Sequence, residues 1–143
     1  MLPLRCLAVS ETLSDVATAH APAGGGGALL RVHTVNARFV GSARVPEAAT
    51  CAAYSAAPEG VSVNCVALGL ATGAVRLYSA WDLRPLAYVP PPARAAPLLS
   101  LAYGADSQLL FACYADGAVL AWESTEGGAK PAPVRILPAH ALL

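Results

Sequence analysis

Hydrophobic and polar residues alternate along short segments of this chain, and these segments recur at a regular spacing. The clearest two are 75–79 and 119–123. Alternation with a period of two is typical of β-strands. Each of these segments follows a two-residue turn that ends in glycine, Thr72-Gly73 and Asp116-Gly117. Such turns suit tight hairpins because glycine adopts positive φ without steric cost. The pattern therefore predicts two similar hairpins.

The two hairpins are copies of one motif whose starting positions lie 44 residues apart. Both contain Gly-Ala-Val, and both strands end near a large aromatic residue, Tyr78 or Trp122. A fainter copy lies at 30–34, which is 45 residues before the strand at 75–79. A repeat of this length with an aromatic-polar strand end is the signature of a WD-repeat β-propeller blade.

Each copy contains four strand-like segments separated by turn residues. The segments are 6–10, 15–19, 30–34 and 38–43 in the first copy, 50–55, 64–70, 75–79 and 84–89 in the second, and 98–103, 109–114, 119–123 and 134–137 in the third. We therefore predict an all-β chain of three four-stranded blades, with units at 1–45, 46–93 and 94–138. Residues 139–143 form a tail or open a further blade.

Three blades are too few for a complete ring, because a closed propeller needs roughly four to eight. The prediction is thus a propeller segment, with the remaining blades in a longer protein. Within it, Gly73, Asp116 and Gly117 are predicted turn residues, and Tyr78 and Trp122 are predicted to end their strands with a packed aromatic ring.

The composition and charge of the chain limit the classes of function that it can have. The chain is 56% hydrophobic and 13% charged, with a formal net charge of zero. Because no basic run is present, nucleic acid is not an expected partner. Pro, Gly and charged residues interrupt every apolar stretch before the roughly 20 residues of a membrane span. The four cysteines, Cys6, Cys51, Cys65 and Cys113, form no CxxC pair, and we expect reduced, buried thiols.

The sequence offers only weak candidates for catalytic, phosphate-binding or metal-binding residues. The stretch Gly24–Gly27 suggests a phosphate cradle, but no Lys-Ser or Lys-Thr follows it, so a surface loop is favoured. The histidines His20, His33 and His140 share no metal-ligand spacing with each other or with a cysteine. We therefore expect no catalytic residue, no cofactor and no metal, and the chain is interpreted as a non-enzyme.

Trp81 belongs to a Trp-Asp dipeptide but lies three residues beyond Tyr78, in the loop after the repeat strand. Two interpretations are open. Trp81 covers the edge of its own blade, or it is an exposed anchor for a protein partner, since Trp and Arg are enriched at interface hot spots. In the second interpretation Trp81 and Arg84 contribute to a protein-binding patch in which Asp82 orients Arg84.

The segment from Pro58 to Pro85 closely resembles the C-terminal WD-repeat region of the lysosomal-trafficking regulator family of BEACH-domain proteins. Less specific similarity extends over roughly residues 4 to 125, including Ser10–Thr18 and Asp116–Trp122. The resemblance implies a BEACH domain before the propeller. It also implies a cytoplasmic scaffold, peripheral on endosomal or lysosomal membranes through the longer protein, that acts in vesicle trafficking by binding protein partners. The alternative is a WD-repeat scaffold subunit of an unrelated multiprotein complex.

Overall fold

The computed structural model describes residues 2–57, 64–93, 96–123 and 133–137, and in these residues it contains strands and no helix. The strands form three four-stranded sheets. They are β1 (Leu4–Val9), β2 (Asp15–His20), β3 (Ala28–Thr34) and β4 (Phe39–Val45) in the first sheet, β5 (Ala49–Tyr54), β6 (Cys65–Leu70), β7 (Val75–Ser79) and β8 (Pro85–Val89) in the second, and β9 (Leu98–Tyr103), β10 (Leu109–Tyr114), β11 (Val119–Glu123) and β12 (Pro133–Leu137) in the third. The prediction of an all-β chain with three four-stranded units is confirmed.

Every sheet is an antiparallel meander in which strands that follow each other in the chain pair with each other. The second and third sheets share the same register in their central hairpins. Cys65 pairs with Ser79 in the second sheet, and Leu109 pairs with Glu123 in the third. The observed strand ends differ from the expected ones by two residues at most, because the two-residue alternation and the glycine turns fix them locally.

Two apolar clusters hold the three sheets together. The first cluster combines side chains of the first and second sheets, and the second combines those of the second and third. On the second strand of the first and second sheets, the side chains that face the following sheet are small, whereas on the second strand of the second and third sheets those that face the preceding sheet include leucines. Ala17 and Ala19 of β2 thus belong to the first cluster together with Leu68 and Leu70 of β6.

Gly69 shows how closely the second and third sheets approach each other. A Cβ atom at this position would lie 3.3 Å from Cδ1 of Leu101 and 3.3 Å from Cβ of Leu98, both in the third sheet, and it would also overlap the Sγ atom of Cys51 in the neighbouring strand β5. Glycine inside a strand often marks such a close approach. A polar contact also links these two sheets, since the backbone N–H of Ala56 donates to Oγ of Ser107 at 2.6 Å. The small-residue faces therefore set the spacing between sheets.

The tail at 139–143, with His140, and the beginning of the family-like segment at 58–63 lie outside the described residues. The unit boundaries at 45, 93 and 138 stay predictions.

Candidate functional site

Trp81 lies in the turn between β7 and β8, and its side chain is 84% exposed. An indole has a large apolar area that is unfavourable to leave in water. The exposure does not fit a lid over the second sheet, because a lid would be packed against that sheet. Binding of a partner by Trp81 stays a prediction.

The turn that carries Trp81 is fixed by its neighbours. The backbone N–H of Trp81 donates to Oγ of Ser79 at 3.2 Å, and the backbone N–H of Arg84 donates to Oδ1 of Asp82 at 3.0 Å. The second hydrogen bond is the main reason why the pKa of Asp82 lies below its ordinary value. Leu83 has a φ of 57° and is buried in the first cluster. The turn is therefore anchored by Leu83, and it holds Trp81 on the outside.

Trp81 forms one wall of a groove of about 380 Å³ that residues of the first and second sheets line together. We call it the Trp81 groove, and its lining includes Leu13, Asp15, Arg38, Phe39, Val40 and Trp81. Its walls come from the β1–β2 turn, the start of β2, the β3–β4 turn, the start of β4 and the β7–β8 turn. The rings of Phe39 and Trp81 are 57% and 84% exposed. The groove thus offers aromatic surface to a ligand.

Asp15 is the acidic residue in the lining of the groove. Its side chain is partly buried, and within the described part of the chain it makes no hydrogen bond and no ion pair. Burial raises the pKa of its carboxyl group. Close by, burial and then the charge of Asp15 raise the pKa of Tyr54, whose buried hydroxyl has no hydrogen-bond partner among the described residues. The groove therefore contains a carboxylate that has lost part of its hydration without gaining a partner.

None of the predicted turn and strand-end residues lines this groove. Gly73 and Gly117 have φ values of 88° and 85°, and Oδ1 of Asp116 accepts a hydrogen bond from the backbone N–H of Ala118 at 3.0 Å. Tyr78 and Trp122 are buried in the two clusters. The turn at Gly73 precedes β7 and the turn at Trp81 follows it, so the two lie at opposite ends of the strand. Gly73 therefore lies apart from the predicted patch, whereas Tyr78 lies at the same end of β7 as Trp81, with its side chain buried.

The cysteine prediction is correct in part. Cys51 and Cys65 are buried and Cys6 is partly buried. Cys113 is exposed because it lies on the face of the third sheet that no other sheet of the described residues covers. Burial raises the pKa of Cys6 and of Cys65 to about 11. These two groups remain thiols at neutral pH, and a thiol is a poor nucleophile compared with a thiolate.

The described residues offer neither a metal site nor a membrane-spanning helix. They hold no group of three or more His, Cys, Asp or Glu side chains that could bind a metal. Nor does this part of the chain contain a helix long and apolar enough to cross a membrane.

Sequence reasoning missed one ion pair and most of the groove. Arg76 donates two hydrogen bonds to the carboxylate of Glu47, at 2.9 and 2.8 Å, and its guanidinium lies 4.8 Å from the ring centre of Tyr88. The groove joins turns that are far apart in the chain. Alignment of the repeats was the available signal, because it places the β3–β4 and β7–β8 turns at equivalent positions of neighbouring sheets.

Two lysosomal-trafficking regulators are similar in sequence to this chain. The human lysosomal-trafficking regulator is 41% identical over 120 residues, which are 84% of this chain and 3% of that protein. The lysosomal-trafficking regulator of Drosophila melanogaster is 40% identical over 58 residues, which are 41% of this chain and 2% of that protein. The chain therefore spans only a few per cent of the length of these relatives. No family model matches it.

Solved structures agree with the fold. The designed protein Ika4 matches 99% of this chain and 76% of its own with a TM-score of 0.70 and 16% identity. BamB from Moraxella catarrhalis matches 94% of this chain and 37% of its own with a TM-score of 0.68 and 12% identity. At such low identity these likenesses show the fold alone. The fold is a segment of a β-propeller.

Proposed function

Because the chain is related in sequence to a segment of the lysosomal-trafficking regulators, which are BEACH-domain proteins, we propose that it is a non-catalytic protein-interaction scaffold in endosomal and lysosomal vesicle trafficking. Its role is to hold protein partners at vesicles whose fission, fusion or size the longer protein controls. The chain itself acts on the cytoplasmic side of the membrane. Membrane association is peripheral and comes from other parts of that protein.

The observation that supports this proposal is the exposed Trp81 beside a groove with a second exposed ring. Contiguous exposed apolar patches are common at interaction sites, and Trp, Tyr and Arg are enriched among interface hot spots. The neighbouring Arg84 is exposed, and the hydrogen bond between its backbone and Asp82 fixes the shape of the turn. A rigid turn loses little conformational entropy when a partner binds, which favours affinity.

A cellular experiment tests the proposal with the full-length protein that contains this chain. Cells without that protein are supplied with the wild type, with Trp81→Ala, or with Tyr88→Ala. Tyr88 is the control because it is also an exposed aromatic residue, at 45%, and it does not line the Trp81 groove. We expect Trp81→Ala to reduce the fraction of the protein on lysosomal vesicles and to change the distribution of vesicle diameters, at unchanged protein abundance. If Trp81→Ala restores both quantities as well as the wild type does, the proposed role of this surface is wrong.

A further inference from the structure

The Trp81 groove has two features that are unusual together on a solvent-exposed surface. One is the carboxylate of Asp15, which is partly buried and has no hydrogen bond or ion pair among the described residues. The other is the pair of exposed aromatic rings of Phe39 and Trp81, which line the same groove. Buried charges in proteins are normally paired. No ion pair or hydrogen bond among the described residues compensates the partial burial of this carboxylate.

A basic side chain can interact with both the carboxylate and the aromatic rings. An ammonium or guanidinium group forms short, charge-assisted hydrogen bonds with a carboxylate. The same group is attracted to the face of an aromatic ring, with Trp as the best partner. The alkyl stem of Lys or Arg also covers apolar surface, such as that of Leu13 and Val40 in the lining. A groove volume of about 380 Å³ lies in the range of pockets that bind small ligands.

The charges of the groove favour a basic occupant over an acidic one. Arg38 also lines the groove, but it is exposed, so its guanidinium stays hydrated without a partner. Asp82 in the adjacent turn already accepts a hydrogen bond from Arg84. Asp15 has lost part of its hydration without gaining a partner, and a positively charged ligand with N–H groups supplies both an opposite charge and a hydrogen bond.

The geometry points to the Trp81 groove as the docking site of a Lys or Arg side chain carried by a short segment of a partner protein. The positively charged group lies against the carboxylate of Asp15 and next to the indole of Trp81, and flanking residues of the segment contact Phe39. This inference rests on the proposed scaffold function and specifies the chemistry of the partner.

Immobilised peptides test the inference with the protein at full length. Three peptides are used as probes, each with two alanines and a leucine on either side of a central Lys, Gln or Glu. The amount of protein retained from solution is compared for each. We expect the Lys peptide to retain at least roughly tenfold more protein than the Gln peptide, since a charged hydrogen bond and a cation–π contact are both lost. Equal retention by the Lys and Gln peptides, or stronger retention by the Glu peptide through Arg38, would overturn the inference.

Three variants test whether retention on the Lys peptide depends on residues of the groove. Asp15→Asn keeps the shape of the side chain and removes its charge, and we expect it to reduce retention on the Lys peptide roughly tenfold. Trp81→Ala is expected to reduce it as well. Asp106→Asn is the matched control, because Asp106 is an exposed aspartate in the β9–β10 turn, outside the groove. Its Oδ1 atom accepts a hydrogen bond from the backbone N–H of Gln108. Unchanged retention of Asp15→Asn would show that the carboxylate does not bind the probe.

The cellular assay separates the two proposals. If Trp81→Ala abolishes vesicle association while Asp15→Asn leaves it unchanged, the scaffold function stands and a basic partner residue is wrong. If Asp15→Asn and Trp81→Ala reduce vesicle association together, while Asp106→Asn does not, both proposals hold.

Discussion

The hydroxyl group of Tyr114 donates a hydrogen bond to the backbone carbonyl of Gly73 at 3.2 Å. Tyr114 ends the central strand β10 of the third sheet, and Gly73 lies in the hairpin turn of the second sheet, 41 positions earlier in the chain. The bond is buried. It fixes the outer end of one hairpin to its neighbouring sheet, so the contact between two sheets depends on a turn as well as on apolar packing.

Tyr114→Phe removes this hydrogen bond and leaves the ring in place. We expect the free energy of unfolding to fall by about 1–2 kcal/mol, because the carbonyl of Gly73 is left without its partner inside the protein. Tyr54→Phe is the matched comparison, since the buried hydroxyl of Tyr54 has no hydrogen-bond partner among the described residues. It should leave stability unchanged or raise it. Urea unfolding followed by circular dichroism measures both variants, and equal losses in the two would contradict the assignment.

Gly73→Ala is expected to destabilise the protein by more than about 2 kcal/mol. A Cβ atom there would lie 2.6 Å from the carbonyl oxygen of Ala96, and φ is 88°, which an alanine rarely adopts. Gly26→Ala provides the control, because φ is 76° but nothing lies within 4 Å. It should show only the backbone cost of about 1 kcal/mol. Thermal unfolding of both proteins separates crowding from strain, and a similar decrease in Tm for both would show that Gly73 is not crowded.

Acid should remove the contribution of Glu47 to stability. Its hydrogen bonds with Arg76 lower the pKa of Glu47 in the folded protein below the ordinary value of 4.5. The unfolded chain therefore binds the proton more tightly, so this contribution is present above about pH 4.5 and is lost as the pH falls through the folded pKa. Glu47→Gln is expected to cost about 1 kcal/mol at pH 7 and progressively less as the pH falls below 4.5 and through the folded pKa of Glu47. A difference that does not change with pH would mean that packing, and not charge, explains the effect.

Asp15 should show the opposite pH dependence. Burial raises its pKa in the folded protein, so its charged form is less favourable there than in the unfolded chain. Stability then decreases as the pH rises through the pKa values of the unfolded and folded forms. Asp15→Asn is expected to stabilise the free protein at pH 7 and to lose this advantage at acidic pH. Denaturant midpoints at the two pH values measure the difference, and a destabilised Asp15→Asn at pH 7 would show that the carboxylate has a partner in the free protein.

Local patterns predicted the strands and hairpins well, because alternation and turn glycines act over a few residues. The hairpin at Gly73 could therefore be placed from sequence alone. The groove could not, since it brings Asp15 and Trp81 to one place, and that depends on how two sheets stack. The exposure of Cys113 was missed for a related reason. Its strand was predicted correctly, but Cys113 lies on the face of that strand that no other sheet in the described part of the chain covers.

The exposed face of the third sheet differs from the corresponding covered faces of the first and second sheets. Ala17 in the first sheet and Ala67 in the second occupy equivalent positions and lie beneath the following sheet, whereas the third sheet has Phe111 at this position, 37% exposed. A sheet that stacked there as the others do would meet a phenyl ring where those sheets meet a methyl group. Stacking of a further sheet on this face would therefore require room for the Phe111 ring in that sheet.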